Sequence, residues 1–271
     1  MKRVLTIAGS DCSGGAGIQA DLKTMTAYGM YGMSAITALT VQNTQGVFDI
    51  CEPDVKYLKG QLDVIFSDIM PDAVKVGMLS SPEVVKTVSQ ALKQYKPARV
   101  VVDPVMVSTS GYALMKESAA GEAMEELYSL ATVLTPNLSE TNVLLGMAGL
   151  EARVENRADM DRAALGLSDY FKTAVLVKGG HLSDGADDCL GEQGEVSWFT
   201  GERIETKNTH GTGCTLSSAI ACGLAAGWSL KKSVECAKWY LQKALKADPK
   251  LGHGNGPVNH CFGIPECFGR E

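Results

Sequence analysis

Short apolar runs, each closed by a glycine or a polar residue, alternate along the chain with segments whose apolar residues recur at helical spacing. No other feature constrains the fold as much. The runs are Arg3 to Ala8 before Gly9, Ala73 to Val76 before Gly77, Arg99 to Val102 before Asp103, Thr132 to Thr135 before Pro136-Asn137, and Thr173 to Val177 before Lys178. Helical spacing follows Gly17 (Ile18, Leu22, Met25, ending near Gly29) and Asp54 (Val55, Leu58, Leu62, Ile65, Phe66, Ile69). Ser81-Pro82-Glu83 starts another helix, and 156–170 and 230–247 read as two more. Such alternation predicts an α/β fold, with a mostly parallel sheet covered by helices on both faces and ligands bound beyond the carboxyl ends of the strands. Gly9, Gly77, Asp103 and Asn137 would then share one rim. A second apolar run, Met33 to Val41, and a short meander between Asp187 and Glu205 complete the strand pattern. At 271 residues with no linker-like composition, a single domain over 1–271 is expected.

Lys207 to Gly227 is the stretch richest in chemistry. A polar turn, Thr209-His210-Gly211-Thr212-Gly213-Cys214, opens into a helix with apolar residues at Leu216, Ala219, Ile220, Gly223 and Leu224. The first N–H groups of a helix have no intrahelical partner and the macrodipole favours negative charge there, so Gly211, Thr212, Gly213 and Cys214 form a candidate anion hole. A cysteine in the first turn is expected to have a depressed thiol pKa. The alternative is a glycine-rich loop that starts a buried helix, with Cys214 as a small core residue.

Other stretches carry two readings each. Gly9 to Gly17 is a glycine-rich loop between strand and helix, but it has neither the GxGxxG nor the GxxxxGK[ST] spacing, so it implies a small-ligand loop and not a dinucleotide or P-loop site. Gln42-Asn43-Thr44-Gln45-Gly46 offers paired donors and acceptors suited to a heterocycle edge, or is a polar turn before the strand Val47 to Cys51. Pro104 to Tyr112 is a small-residue segment, either a flap over a site or a plain loop. Asn137 and Glu140, three apart at a helix start, suit water held around Mg²⁺ or a capping pair. Lys178, at a strand end before two glycines, could neutralise a triphosphate.

A formal net charge of −6 and the lack of a basic stripe argue against nucleic acid or an anionic membrane as partner. The apolar start of MKRVLTIAGSD is broken too early for a signal peptide, and no stretch approaches a membrane span. Eight cysteines without CxxC pairing, and four histidines that do not cluster with them at ligand spacing, imply reduced thiols, no zinc site and a cytoplasmic protein.

Together the strings GSDCSGGAGIQADLKT, TALTVQNTQGV, KVGML, VVDPVMVSTSG, LTPNLSET, VLVKGGH and NTHGTGCTLSSAIA resemble the hydroxymethylpyrimidine/phosphomethylpyrimidine kinases of thiamine biosynthesis, in the ribokinase superfamily, over nearly the whole chain. The resemblance implies a three-layer αβα sandwich and a homodimer. It also implies transfer of phosphate from ATP, with Mg²⁺, to 4-amino-5-hydroxymethyl-2-methylpyrimidine and then to its monophosphate. Residue by residue, it makes Gly211, Thr212, Gly213 and Cys214 the anion hole, with Cys214 standing where sugar kinases carry an aspartate base. It sets Gln42 against the aminopyrimidine with Gly9, Asp21, Met78 and Val105 around the substrate. Asn137 and Glu140 match the family's metal-organising N-x-x-E, Lys178 approaches the nucleotide phosphates, and Asp103 lies near their path.

Two departures matter. The tail reads Gly252-His253-Gly254-Asn255-Gly256-Pro257-Val258-Asn259-His260, longer by Gly254-Asn255 than the family's GHGPVNH. The related cysteine-type pyridoxal kinases share GTGC but add a flap cysteine, where this chain has Ser108-Thr109-Ser110. That favours the pyrimidine and leaves pyridoxal or pyridoxine phosphorylation as the alternative. Other classes are a thiol hydrolase using Cys214 and His210, and a non-enzymatic binder on the same fold.

Overall fold

The computed structural model describes residues 1–105, 121–150, 153–180 and 185–263. Its elements run β1 (Arg3–Asp11), α1 (Gly17–Ala27), β2 (Tyr31–Asn43), β3 (Gly46–Cys51), α2 (Val55–Asp68), β4 (Ala73–Val76), α3 (Pro82–Tyr95) and β5 (Val100–Val102). Then come α4 (Gly121–Ser129), β6 (Val133–Leu134), α5 (Leu138–Met147), α6 (Arg157–Phe171), β7 (Ala174–Lys178), β8 (Asp188–Glu192), β9 (Glu195–Phe199), α7 (Thr212–Ala225) and α8 (Leu230–Lys246). One nine-stranded sheet has the order β3-β2-β1-β4-β5-β6-β7-β8-β9. Pairing is parallel from β2 through β7, while β3 at one edge and β8 and β9 at the other are antiparallel.

Strand parity sorts the core into two layers. Leu5, Ile7, Val74, Val76, Val100, Val102 and Leu134 face α2 to α6, where Leu62, Val88, Leu127, Leu144 and Met160 pack against them. Val4, Ala73, Val101 and Val133 face Met25 of α1, Leu216 and Ile220 of α7, and Val234 of α8. Helices therefore cover both faces, giving the expected αβα sandwich. By the same parity Lys75, two residues after Ala73, turns toward α1 and α7.

Local signals act where the sequence put them. The Asp54 carboxylate accepts from Lys56 N at the start of α2, Pro82 occupies the first position of α3, and Asn156 with Asp159 forms a capping box on α6. One expectation changes. The amide cluster is divided, with Gln42 and Asn43 ending β2 and pairing with Val47 and Gly46, so hairpin pairing extends the strand past its apolar run. Lys178 is the last residue of β7, at the strand end where it was expected. Helix α4 has no counterpart in the sequence reading. Residues 106–112 of the flap expectation, and His181, lie outside the described residues.

Candidate active site

The carboxyl ends of β1, β4, β5, β6 and β7 set Asp11, Gly77, Asp103, Thr135 and Lys178 along one rim, as their neighbouring registers require. Helix α7 starts against this rim. Its cap residue Gly211 has φ 83°, and no side chain caps the helix. A Cβ at Gly211 would run into the carbonyl of Gly15, and one at Gly17 (φ 56°) into the carbonyl of Gly9. The two glycine-rich loops thus interlock at a distance that only a residue without a side chain permits. With no side chain capping it, the start of α7 turns the N–H groups of its first turn toward an anion, except Thr212 N, which donates to Thr209 O at 3.3 Å.

Next to that start sits a charged pair. Lys178 Nζ donates to Asp103 Oδ1 at 2.8 Å, Thr135 Oγ1 donates to the same oxygen at 3.0 Å, and Ser217 Oγ of α7 approaches Oδ2 at 3.4 Å. A Cβ on Gly213 would lie 3.2 Å from Asp103 Oδ2 and 3.5 Å from Lys178 Nζ, so the pair abuts the second residue of the helix. Burial works against charge on both partners. It is outweighed by their mutual attraction, with Glu140 adding to the field on Lys178 and Lys75 to that on Asp103, so the lysine is raised and the carboxyl lowered. A bridge pairs Asn137 with Lys178. Asn137 and Glu140 form a complete capping box: Glu140 N donates to Asn137 Oδ1 at 2.9 Å and Asn137 N to Glu140 Oε2 at 2.7 Å. The capping role expected as one alternative is therefore present, at the site itself.

Cys214 and Asp21 depart from expectation. Cys214 keeps a partly exposed edge, but its thiol is not depressed. Burial pushes it up to about 11, with Asp21 and Asp103 adding and with the Lys75 ammonium and the Gly17 N–H opposing. Packing of the two glycine loops around the sulfur outweighs the helix terminus. Asp21, which the resemblance sets near the substrate, is closed off from the rim in this structure. It is 0 % exposed, and its oxygens take Lys75 Nζ at 3.0 and 2.9 Å, Thr6 Oγ1 at 2.6 Å and Ser218 Oγ at 2.7 Å. It lies one layer below, tying α1, β1, β4 and α7 together. A Cβ on Gly77 would press on Lys75 Nζ at 2.6 Å, so the lysine ends directly under the rim.

The other end of the rim gathers the expected substrate residues. Gly9 borders Met78, whose Sδ would be 3.3 Å from a Cβ there, and Thr37 Oγ1 donates to Met78 O at 2.8 Å. Val105, half-buried, follows Asp103 on the same side. Gln42 faces His210, with the Gln42 amide nitrogen 3.0 Å from His210 Nε2, and the same Nε2 is 2.8 Å from Asp11 Oδ2. Burial works against the charge of Asp11, but bonds from His210, Ser13 and Ala16 hold its carboxyl at about 2. The tail closes over this end. Gly254 N and His253 N donate to Thr44 Oγ1, Asn255 N to Thr44 O, and His210 N to Gly256 O. Its extra residues therefore brace the turn beside Gln42. The His210 Nε2 is committed to Asp11 and Gln42, so this nitrogen does not serve Cys214 as a base. Lys75, Thr135 and Ser217 were not singled out by the sequence. A lysine inside the four-residue buried strand AVKV was the available signal for the first.

The chain is similar to known proteins over most of its length. The family model described as phosphomethylpyrimidine kinase matches residues 11–259. A hydroxymethylpyrimidine/phosphomethylpyrimidine kinase of Streptomyces coelicolor is 46% identical over 97% of this chain and 96% of its own. Among solved structures, a phosphomethylpyrimidine kinase from Clostridium difficile is similar with TM-score 0.79 and 43% identity, over 90% of this chain and 100% of that one. The pyridoxal kinase of Staphylococcus aureus in complex with AMP-PCP and pyridoxal is similar with TM-score 0.86 and 36% identity, over 96% and 93%.

Proposed function

The chain belongs to the phosphomethylpyrimidine kinase family, and from that premise we propose that it uses ATP to phosphorylate the hydroxymethyl group of 4-amino-5-hydroxymethyl-2-methylpyrimidine and then the resulting monophosphate. The observation that carries the assignment of the site is the contact of the Asp103–Lys178 pair with the uncapped start of α7. Phosphoryl transfer asks little covalent chemistry of a protein and much positioning and charge stabilisation. The backbone of Gly211, Thr212, Gly213 and Cys214 receives the transferring phosphoryl group. Lys178 offsets its charge, and Asp103 and Thr135 fix the ammonium in place.

Mg²⁺ carried with ATP would supply charge neutralisation on the phosphates, with Asn137 and Glu140 holding it through water. The donor set fits a hard cation that keeps several waters: a carboxylate and an amide fixed in one helical turn, whose capping-box bonds leave contact with the ion to intervening water. Gln42, Gly9, Met78 and Val105 surround the pyrimidine, and Asp21 acts on the site only from below. For Cys214 to take the hydroxyl proton it must first be a thiolate, which Lys75 and the Gly17 N–H favour. In Cys214→Asp the base would be ionised at neutral pH. A shifted acidic limb of kcat supports a base at this position, whereas an unchanged rate and limb leave it a backbone role only.

The reading includes a cytoplasmic homodimer. Leu39, Val41 and Phe48, exposed along the β2–β3 hairpin, support self-association, which sedimentation equilibrium measures. No described helix is long and apolar enough to cross a membrane. The decisive assay is ADP release with Mg²⁺-ATP and hydroxymethylpyrimidine, its monophosphate, pyridoxal and pyridoxine in parallel, with products identified by mass. Turnover of both pyrimidines is expected. Preference for a B6 vitamer with an inert pyrimidine monophosphate overturns it.

A further inference from the structure

The contacts of His210 settle which way a neighbouring amide points. Asp11 Oδ2 accepts from Gly15 N and Ala16 N at 3.0 and 2.8 Å while standing 2.8 Å from His210 Nε2. An ionised carboxylate only accepts, so the hydrogen on this ring nitrogen must point at Asp11, and Nε2 is a donor. The Gln42 amide group 3.0 Å away then cannot present its NH₂, because two donors would face each other. Its Oε1 must face His210 and share the single Nε2–H with Asp11 Oδ2 in a three-centre bond, which turns the NH₂ end away from the imidazole. The ring itself has little room to move. His210 is 7 % exposed, its N–H is bound to Gly256 O, and a Cβ at Gly15 would strike its Cδ2.

We propose that His210, held by Asp11, is a specificity-determining positioning residue that fixes the register of the Gln42 amide, so that the site accepts an amino group beside a ring nitrogen and rejects the oxo compound. The proposal rests on the reading of Gln42 as the ring-facing residue. An aminopyrimidine edge offers a donor next to an acceptor, which Oε1, through its second lone pair, and Nε2 of the fixed amide complement in one orientation. A 4-oxo analogue offers an acceptor next to an N–H donor, the reverse order. A freely rotating glutamine would turn over and accept both. One pinned at its oxygen end meets the oxo compound with like facing like, and buried polar groups left unmatched are what give strong rejection.

The test is kcat/KM for the 4-amino substrate and for its 4-oxo analogue at saturating ATP, in the unmodified enzyme and in His210→Leu, His210→Gln and Gln42→Leu. The unmodified enzyme should prefer the amino compound by roughly 100-fold or more. His210→Leu removes the donor, and His210→Gln, which keeps polarity and approximate size should the leucine variant not fold, can present either end of its own amide. In both the preference should shrink at least ~10-fold, with KM for ATP unchanged. Equal losses for both compounds, leaving the ratio intact, would assign His210 a purely structural role and overturn the proposal. Gln42→Leu separates the two levels. If it alone collapses the ratio, the His210 inference fails while the reading of Gln42 stands. If it changes neither ratio nor KM, Gln42 does not face the ring.

Discussion

Two lysine–aspartate pairs flank the first turns of α7, and they differ in depth. Lys75–Asp21 is 0 % exposed on both sides, and Thr6 and Ser218 complete the shell of the carboxylate. Lys178–Asp103, whose lysine stands three strands further along the sheet and whose carboxylate follows β5, keeps 15 % exposure on the lysine and, among the described residues, a long contact from Ser217 on its second oxygen. Burial opposes charge in both lysines, and the carboxylate outweighs it in both. What separates a scaffold charge from a working charge is thus not the pair itself but whether its polar atoms are saturated and closed to solvent. A saturated pair has nothing to offer a ligand. A pair with one face open can exchange part of its attraction for a phosphate.

The comparison breaks most visibly at the buried pair. Lys75→Met leaves the Asp21 carboxylate without its counter-charge in a dry site and should cost ~3–5 kcal/mol of unfolding free energy, read from urea midpoints. The double variant Lys75→Met/Asp21→Leu should recover most of that loss, because a buried pair replaced as a unit by apolar groups is often near neutral. If the single variant unfolds at the midpoint of the parent, the pair does not hold α1, β4 and α7 together.

At the rim the larger effect moves to turnover. Lys178→Met should lower kcat ~10²–10³-fold, the scale of losing one preorganised charge-stabilising donor. Its unfolding midpoint should fall less than that of Lys75→Met, since the remaining Asp103 keeps Thr135 and is reached by solvent once the lysine is gone. Equal stability losses in the two variants, with normal turnover in Lys178→Met, would erase the distinction between them.

The sequence made one of these pairs readable and hid the other. Lys178 and Asp103 each end an apolar run, so the parallel-sheet rule alone carries them to one rim, as it does Gly9, Gly77 and Asn137. The layers of the sandwich were equally accessible, because continuous apolar strands need cover on both faces. Asp21, expected beside the substrate, is fully buried under the rim. Its partners come from Thr6, Lys75 and Ser218, and no pattern local to α1 states that a strand lysine 54 positions away will saturate it. The thiol of Cys214 failed the same way: the first turn of a helix was visible, whereas the desolvation by two interlocked glycine loops was a tertiary fact. The contact of Asp11 with His210, 199 positions apart, likewise belongs to the packing of the two loops and not to either motif.

A third buried group beside α7 sharpens the comparison, because it is kept neutral and has no counter-ion. Thr215 Oγ1 spends its proton on Gly211 O at 2.8 Å, so at 2.9 Å it must accept from His260 Nε2–H. Burial, with the charge of Lys23 nearby, pulls the His260 imidazole down to about 4. The folded chain therefore binds fewer protons than the unfolded one between that value and the ordinary pKa of ~6.5. Stability rises with pH through this window, is complete above it and is lost as pH falls, by ~2 kcal/mol between pH 7 and 5. Asp11, with its folded value near 2, keeps its full contribution across this window and loses it only as pH falls below about 4. Urea midpoints at pH 7 and pH 5 should thus differ in the parent and converge in His260→Gln, whose amide can still donate to Thr215 but does not titrate. An identical pH dependence in that variant would place the acid sensitivity elsewhere and leave charge pairing as the device that governs the buried polar groups around α7.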